Sequence, residues 1–187
     1  MIRESEFVGD HRRAAYVTLS MLIVVNVMSQ LDRQIMSVLL EPIRSDLDLS
    51  DTQMGVIVGV AFAVFYTIAG LPLGRFADHA NRRNVIVTVL GFWSLATAAC
   101  GLARGYWQLF AARVGVGIGE AGCAPAAQSI LSESFPPERI GRALSSYQLA
   151  IPIGILVGLA GGGWLADQFH WRTVFMIVGL PGILVAF

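Results

Sequence analysis

Charge is scarce in this 187-residue chain. Charged residues make up 14% of it, and lysine is absent, so that all 13 basic residues are arginine. A soluble domain carries about a quarter charged residues. Here 55% of the residues are hydrophobic, and the mean hydropathy is +0.65. This composition argues against a soluble globular domain and excludes a disordered tail.

Net charge, cysteine and catalytic motifs are also lacking. The 13 basic residues are balanced by 13 acidic ones, whereas nucleic-acid binding needs a basic excess. The two cysteines, Cys100 and Cys123, lie within apolar runs and indicate no disulfide framework. All three histidines lie at or outside the ends of those runs, and neither H-E-x-x-H nor G-x-S-x-G occurs. We therefore expect no nucleic-acid partner, no metal, no cofactor and no enzymatic activity, although a membrane-embedded enzyme is the main alternative class.

Long apolar runs are abundant instead. Most reach the ~20 residues that cross a ~30 Å hydrocarbon core. They lie at 14–42, 53–77, 84–103, 107–131, 142–166 and 171–187. Because they are apolar on most faces, lipid is the expected solvent, and backbone groups in lipid require helices. The predicted fold class is therefore an all-α, polytopic membrane protein with short connecting loops.

Arginine placement predicts the orientation of the chain in the membrane. Eight arginines fall on the side of the N-terminus and three on the other. Residues 1–13 and the loops after the second and fourth spans are therefore expected in the cytoplasm. The eight are Arg3, Arg12, Arg13, Arg75, Arg82, Arg83, Arg139 and Arg142, and the three are Arg44, Arg104 and Arg172. The first run is too long for a signal peptide and lacks a cleavage site, so we expect an uncleaved span.

Two segments share the pattern G-x-x-A-D-x-x-x-x-R. One runs from Gly74 to Arg83 and the other from Gly163 to Arg172, an offset of 89 residues (163 against 74). Three predicted spans separate them, and they lie at opposite faces of the membrane. The pattern predicts two inverted three-helix repeats, 14–103 and 104–187, which are typical of transporters with a substrate site near the midplane. Chance similarity of two helix ends is the alternative.

Four ionisable residues lie inside the predicted spans, where each costs about 2.5–3.5 kcal/mol at a helix centre. They are Asp32, Arg33, Arg113 and Glu120. A rise of ~1.5 Å per residue places Asp32 between Arg113 and Glu120 in depth, which predicts a ladder of alternating charge if spans one and four face each other. Ionisable residues at such depth indicate function, although a purely structural ion-pair network is the alternative.

A polar stripe and three roles follow from these positions. Asn26 and Gln30 continue the face of Arg33 along span one, and together they are expected to line a substrate cavity. Arg113 is expected to bind an anionic group, because its guanidinium matches a carboxylate or phosphate. We expect Asp32 to take up and release the coupling proton. Glu120 would compete with the substrate for Arg113 or carry a second proton.

Small residues and prolines punctuate the later spans. The letters G-x-G-x-x-G at 117–122 do not indicate a dinucleotide site, because no strand precedes them. Glycines spaced by four residues allow close helix packing instead. Those expected to pack helices are Gly115, Gly117, Gly119, Gly154 and Gly158. Pro125, Pro152 and Pro181 are expected to kink their spans.

The motifs carry a resemblance to a known family. Residues 74–83, G-R-F-A-D-H-A-N-R-R, resemble the loop motif G-x-x-x-D-x-x-G-R-[RK] of the major facilitator superfamily. Asn81 replaces the usual glycine, and we expect it to keep the turn because asparagine tolerates left-handed backbone. Residues 113–119, R-x-x-x-G-x-G, are similar to the superfamily's helix-four motif, which implies a role in proton coupling. The Asp32-Arg33 pair, 117–121 with Pro125, and Arg139 are similar to its spinster-like branch.

The resemblance implies a twelve-helix fold in two six-helix bundles. This chain would be the N-terminal bundle, ending with helix six, and the C-terminal bundle of the same chain would be its partner. Asp32, Arg113 and Glu120 would lie in the cavity. A cytoplasmic gating motif would comprise Gly74, Asp78, Arg82 and Arg83, although simple anchoring is the alternative for Arg83.

The implied activity is proton-coupled secondary transport by alternating access. The spinster-like branch implies a lysolipid-like or other amphipathic anion, surrounding membrane lipid, and location in a bacterial inner membrane. The alternative is an organic-anion symporter of the anion:cation symporter branch, which shares the Asp-Arg pair of helix one and the Arg and Glu of helix four. A channel is the third class, and a single buried charge ladder fits it less well than alternating access.

Overall fold

A computed structural model describes the backbone of residues 2–186 and their side chains, except those of 2–12 and Asp78. The side chains of Arg3, Arg12 and Asp78 therefore lie outside the described part. Within it the chain forms ten α-helices and no strand. They are α1 (Ile2–Val38), α2 (Leu40–Asp46), α3 (Asp51–Gly55), α4 (Ala61–His79), α5 (Arg82–Cys100), α6 (Tyr106–Ala121), α7 (Cys123–Ser134), α8 (Pro137–Gln148), α9 (Ala150–Gln168) and α10 (Trp171–Ala186). A π-helical turn, Val56–Val60, joins α3 to α4.

The six predicted spans correspond to these helices in order. Span 1 is α1, span 2 comprises α3 to α4, span 3 is α5, span 4 is α6 with α7, span 5 is α8 with α9, and span 6 is α10. Four described segments are long and apolar enough to cross a membrane, namely Arg13–Val38, Asp51–Ala77, Arg82–Cys100 and Pro137–Gln168. Spans 4 and 6 are not among these four segments. Span 4 is interrupted at Gly122 and carries the charged residues Arg113 and Glu120, and span 6, the α10 helix, has only 16 residues.

Three helix breaks share one cause. They fall at Leu39, Gly122 and Leu149, three residues before Pro42, Pro125 and Pro152. A proline nitrogen carries no hydrogen, so the carbonyl four residues earlier loses its helical donor. The α10 helix, by contrast, continues through Pro181. The sequence predicted kinks at Pro125 and Pro152, and a helix break lies before each of them. It did not predict the break before Pro42, and the kink expected at Pro181 stays a prediction.

Helix pairing follows the inverted repeat. The α1 helix packs along α9, so span 1 contacts span 5, and α4 packs along α6, so span 2 contacts span 4. Exchanging the two repeats converts one contact into the other. The α5 helix packs on α10, which joins the third span of each repeat. Two inverted three-helix repeats account for these contacts.

Glycines bring α9 against α1. A Cβ atom at Gly154 would lie 2.5 Å from the Cβ of Gln30 and 2.8 Å from the carbonyl oxygen of Val27. One at Gly158 would lie 2.7 Å from the Cβ of Gln34. No side chain fits at either position without moving the helices apart. We call this contact between α1 and α9 the glycine seam.

The glycines of α6 set two further close contacts. A Cβ at Gly117 would lie 2.8 Å from the carbonyl oxygen of Phe62 on α4, and one at Gly119 would lie 2.6 Å from the Cβ of Trp93 on α5. At Gly115 the nearest side-chain atom, also on α5, would lie 3.2 Å away. These contacts hold α6 between α4 and α5.

The turn before α5 differs from the expectation. Asn81 caps α5, and its side-chain oxygen accepts hydrogen bonds from the backbone N–H groups of Arg83 (3.1 Å) and Asn84 (3.4 Å). Its φ is −67° and its ψ is 106°. The expected left-handed backbone is therefore wrong, because an N-cap residue needs an extended conformation to reach the first N–H groups of its helix.

Buried polar residues lie between two apolar clusters. Along α1 the buried residues of the first cluster end at Val25 and those of the second begin at Ile35, and along α5 the first end at Trp93 and the second begin at Cys100. The intervening buried polar residues of these two helices are Ser29, Asp32, Ser94 and Thr97. We call the region where they meet Arg113 and Glu120 of α6 the polar centre.

Candidate functional site

Glu120 joins α6 to α1 in the polar centre. Its side chain is 1% exposed. One of its oxygens, Oε2, accepts hydrogen bonds from Ser29 Oγ (2.9 Å) and Arg33 Nε (2.9 Å). The same oxygen lies 2.9 Å from Nη2 of Arg33. The other oxygen, Oε1, is buried and has no hydrogen-bond partner among the described residues. Half of this carboxylate's accepting capacity is therefore unused.

Asp32 is turned toward α5. It is 4% exposed, and its Oδ2 accepts a hydrogen bond from Thr97 Oγ1 at 2.9 Å. Its Oδ1 is buried without a partner among the described residues. Asp32 and its neighbour Arg33 thus engage different helices, since consecutive residues of a helix point about 100° apart.

Arg113 is almost completely buried. It is 2% exposed, and it forms no ion pair with the described side chains. Its Nε also lacks a hydrogen-bond partner there. Burying an unpaired charge is costly, so such a guanidinium is unusual unless a ligand completes it.

An aromatic pair holds both arginines of the centre. The guanidinium carbons of Arg33 and Arg113 lie 4.9 Å and 5.4 Å from the ring centroid of Phe62. Arg33 also lies 5.1 Å from the ring centroid of Tyr66, which stacks on Phe62 at 5.4 Å. Cation–π attraction therefore positions two guanidinium groups around one ring.

The four predicted charges come together, but their pairing differs from the expected ladder. Glu120 binds Arg33 in this conformation, and Asp32 binds a threonine. The predicted competition of Glu120 for Arg113 therefore stays a prediction. The pairing differs because the long side chain of Arg33 extends from α1 to Glu120 on α6. The depth of a residue along its helix does not show how far its side chain extends sideways.

Asn26 and Gln30 lie toward span 5. Asn26 Nδ2 donates a hydrogen bond to the carbonyl of Tyr147 at 3.1 Å, and the Cβ of Gln30 lies against Gly154. Of the predicted polar stripe of α1, Asn26 and Gln30 therefore contact span 5, while Arg33 lies in the polar centre. The contact of Asn26 and Gln30 with substrate stays a prediction.

Sequence reasoning missed four residues of the polar centre. Ser29 and Thr97 bind the two carboxylates, while Phe62 and Tyr66 contact the arginines. Ser29 could have been found, because it lies one turn before Asp32 and Arg33. Nothing in the sequence distinguishes Thr97 or Phe62 from other residues of their apolar helices.

The predicted cytoplasmic motif makes a contact within the bundle. Arg82, at the start of span 3, pairs with Glu133 at the end of span 4. Gly74 lies near Pro125, to which a Cβ would approach at 3.9 Å, and Arg83 is exposed. The side chain of Asp78 lies outside the described residues, so the gating role of the motif stays a prediction.

A related ion pair lies at the opposite end of the bundle. Arg172, at the start of span 6, donates to Asp46 at the end of α2 (3.0 Å) and to the carbonyl of Ala103 (3.0 Å). Trp171 Nε1 donates to the same Asp46 oxygen at 3.1 Å. The two ion pairs are thus equivalent. In each, an arginine at the start of the third span of one repeat binds an acidic residue near the end of the first span of the other repeat.

The described residues contain no group of three or more histidine, cysteine, aspartate or glutamate side chains that could hold a metal ion. The ionisable groups of the polar centre are two carboxylates and two guanidinium groups. They suit the binding of an anion and the movement of a proton.

Comparison with known proteins identifies relatives along most of the chain. The family model of the Major Facilitator Superfamily matches residues 22–187. An MFS-type efflux pump of Mycolicibacterium smegmatis is 38% identical over 93% of this chain and 41% of its own length. A probable L-galactonate transporter of Escherichia coli is 31% identical over 94% of this chain and 38% of its own.

A solved structure shares the fold. It is a bacterial homologue of the human lysosomal transporter Spinster in an inward-facing, unoccupied conformation, with 34% identity and a TM-score of 0.82 over 92% of this chain and 41% of that one. The chain thus spans about two fifths of the length of these relatives. It belongs to the major facilitator superfamily and has the helical fold of a multi-pass membrane protein.

Proposed function

We propose that the chain forms the N-terminal bundle of a proton-coupled transporter that moves an amphipathic, lysolipid-like anion by alternating access. The observation that carries this proposal is Arg113, a guanidinium that is 2% exposed and has no ion-pair partner among the described residues. A carboxylate or phosphate of the substrate would supply the missing negative charge. Asn26, Gln30 and Arg33 would line the same cavity.

The aromatic pair favours an amphipathic substrate. Phe62 and Tyr66 place apolar surface directly beside the two guanidinium groups. A ligand with an anionic head and an apolar body would satisfy both surfaces. The 34% identity to a bacterial homologue of the lysosomal transporter Spinster supports the same class.

An organic-anion symporter is the second candidate. It is favoured by the 31% identity to a probable L-galactonate transporter. The charges of the polar centre would serve a sugar acid equally well, because its carboxylate also matches a guanidinium. The two candidates differ in what surrounds the anionic group rather than in the group itself.

Coupling would arise from competition for the arginines. In the described conformation Glu120 holds Arg33 through its charged carboxylate. Protonation of Glu120 would remove that charge and release Arg33 to a substrate anion. Asp32, the buried residue that precedes Arg33, would carry the coupling proton. The proposal needs no coupling ion other than the proton.

The membrane setting completes the proposal. Large apolar side chains such as Leu71, Leu156 and Leu184 are exposed on the described surface and would contact lipid or the C-terminal bundle. The arginine distribution favours a cytoplasmic N-terminus. Arg82, Arg83, Asp78 and Gly74 would gate the cytoplasmic side, and a bacterial inner membrane is the proposed location.

Uptake by the complete protein in proteoliposomes tests this function. An imposed pH gradient should drive saturable uptake of a radiolabelled lysophospholipid, and uptake of galactonate instead would favour the second candidate. Arg113→Lys should lower kcat/KM by at least about tenfold, because lysine keeps the charge but loses the planar fork. The exposed cytoplasmic Arg139→Lys is the matched control. Fast, unsaturable flux of either compound would contradict a carrier mechanism.

A further inference from the structure

A cavity of about 270 Å³ reaches Asp32 between α1, α5, α9 and α10. Its walls are mainly apolar and include Trp93, Leu165 and Val178. None of Arg33, Arg113 and Glu120 is among its lining residues. Asp32 is therefore reached by a space that is separate from the arginines. We call this space the Asp32 cavity.

Two buried oxygen atoms with unused hydrogen-bonding capacity belong to residues that line the Asp32 cavity. They are Oδ1 of Asp32 and Oγ of Ser94, and neither has a partner among the described residues. Asp32 is 4% exposed and Ser94 is 1% exposed. Native proteins rarely leave such atoms unsatisfied, so their presence at one cavity indicates a polar ligand.

The α5 helix supplies two hydroxyl groups to this region. Thr97 already donates to Oδ2 of Asp32 at 2.9 Å, which leaves Oδ1 as the free acceptor. Ser94 lies one turn earlier on the same helix, and residues three apart share a face. The carboxylate is thus hydrogen-bonded through Oδ2, while the buried Oδ1 has no partner among the described residues.

The remaining surroundings of Asp32 are known from each neighbouring helix. The charges of Arg113 and Glu120 on α6 act on it, and the Trp93 side chain of α5 lies within hydrogen-bonding range. Arg33 follows it on α1 but is bound to Glu120. The α9 and α10 helices contribute only apolar lining, namely Leu165, Ile177, Val178 and Pro181.

We propose that the Asp32 cavity is a water-binding site through which Asp32 exchanges its proton, separately from the anion site at Arg113 and Arg33. This inference rests on the proposed function. Water hydrogen-bonded to Ser94 Oγ and Asp32 Oδ1 carries the proton: hydronium and the carboxylate give water and the carboxylic acid, and release reverses the step. Thr97 is a positioning residue that fixes Oδ2. The cavity has ample room, since one water needs only roughly 10–15 Å³ of such space.

Filling the cavity tests the proposal directly in the complete protein. Val178→Phe should slow pH-gradient-driven uptake by about tenfold, because positioned proton transfer contributes roughly 10²–10⁴ in rate. Equilibrium binding of the labelled anion should be unchanged. Leu180→Phe, on the exposed face of the same helix, is the matched control and should match the parent protein. Ser94→Ala should reduce the rate in the same direction without added volume.

Thr97 provides an independent readout. Thr97→Val keeps the shape but removes the hydrogen bond that favours the charged form of Asp32, so the pH of half-maximal uptake should rise by about one unit. Thr97→Ser should restore the parent pH profile. A purely structural role would change the yield of folded protein and leave the profile in place.

The outcomes separate this inference from the function on which it rests. If Val178→Phe behaves like Leu180→Phe and the Thr97 and Ser94 variants keep the parent pH profile, the inference is overturned. The proposed function then still stands, provided that Asp32→Asn abolishes the response to the pH gradient. If Asp32→Asn keeps the full response, the proton role of Asp32 itself fails.

Discussion

The two faces of α1 are built on opposite principles. On the α9 face, Gly154 and Gly158 bring the backbones so close that a Cβ would meet Gln30 or Gln34 at 2.5 Å and 2.7 Å. On the other face, Asp32 and its partners in the polar centre leave several buried polar atoms without hydrogen bonds. The α9 face has no space for an added side chain, whereas the polar centre contains buried polar atoms that make no hydrogen bond among the described residues. Folding is therefore expected to depend mainly on the glycine seam, and function mainly on the polar centre, whose buried ion pair also contributes to stability.

The glycine seam should give the largest effect. Gly154→Leu would meet both a side chain and the carbonyl oxygen of Val27, so we expect loss of most folded protein. Overpacking costs about 1–3 kcal/mol even where only side chains must move. Gly161→Leu on the same helix, where no atom lies within 4 Å of the added Cβ, should fold normally. Monodisperse yield after detergent extraction measures both, and equal losses would contradict the seam.

The buried ion pair should respond asymmetrically. Arg33→Gln leaves Glu120, with a side chain that is 1% exposed, as an unpaired buried charge, and breaking such a pair costs about 3–5 kcal/mol. Glu120→Gln leaves Arg33, which is 33% exposed and reaches water, so its cost should be smaller. Thermal unfolding of the two variants at neutral pH measures the difference. Equal losses of Tm would argue against the buried position of the carboxylate.

The aromatic contact should affect binding more than folding. Phe62→Leu removes the ring shared by Arg33 and Arg113, and buried cation–π contacts are worth about 2 kcal/mol. We expect equilibrium binding of the transported anion to weaken by up to roughly thirtyfold. Phe65→Leu, three residues along α4, is the control and should bind normally. Unchanged affinity in Phe62→Leu would show that the arginines hold their positions without the ring.

The smallest effect is expected at the cytoplasmic pair. Arg82 and Glu133 are both partly exposed, with side chains 24% and 65% accessible. Exposed ion pairs contribute about 0–1 kcal/mol, so a double-mutant cycle with Arg82→Ala and Glu133→Ala should yield a coupling energy below about 1 kcal/mol. A larger coupling energy would mean that the pair holds the bundle together rather than only joining two helix ends.

Hydropathy and charge predicted much of this architecture. The all-helical fold is confirmed, because apolar runs of sufficient length have few alternatives in lipid. The family, predicted from the motifs at 74–83 and 113–119, is confirmed by the family model. The sequence also located the charges of the polar centre, since Asp32 and Glu120 interrupt otherwise apolar helices. Their partners could not be predicted, because the rotation of each helix about its axis depends on packing across spans. Thr97 and Phe62 became visible only once α5 and α4 were placed beside α1 and α6.

Two local expectations failed for related reasons. Asn81 adopts the extended backbone of an N-cap, and the first apolar run, predicted as 14–42, is interrupted at Leu39. Both depend on which backbone groups need a partner at a helix end rather than on the hydropathy of the segment.

We propose that the polar centre couples a proton on Asp32 to an anion at Arg113. Asp32→Asn in proteoliposomes tests it most directly, because asparagine keeps the shape and cannot carry a coupling proton. Exchange of labelled for unlabelled anion without a pH gradient should persist near the parent rate, while uptake driven by a pH gradient should be lost. Gradient-driven uptake that persists in this variant at the parent rate would contradict the account.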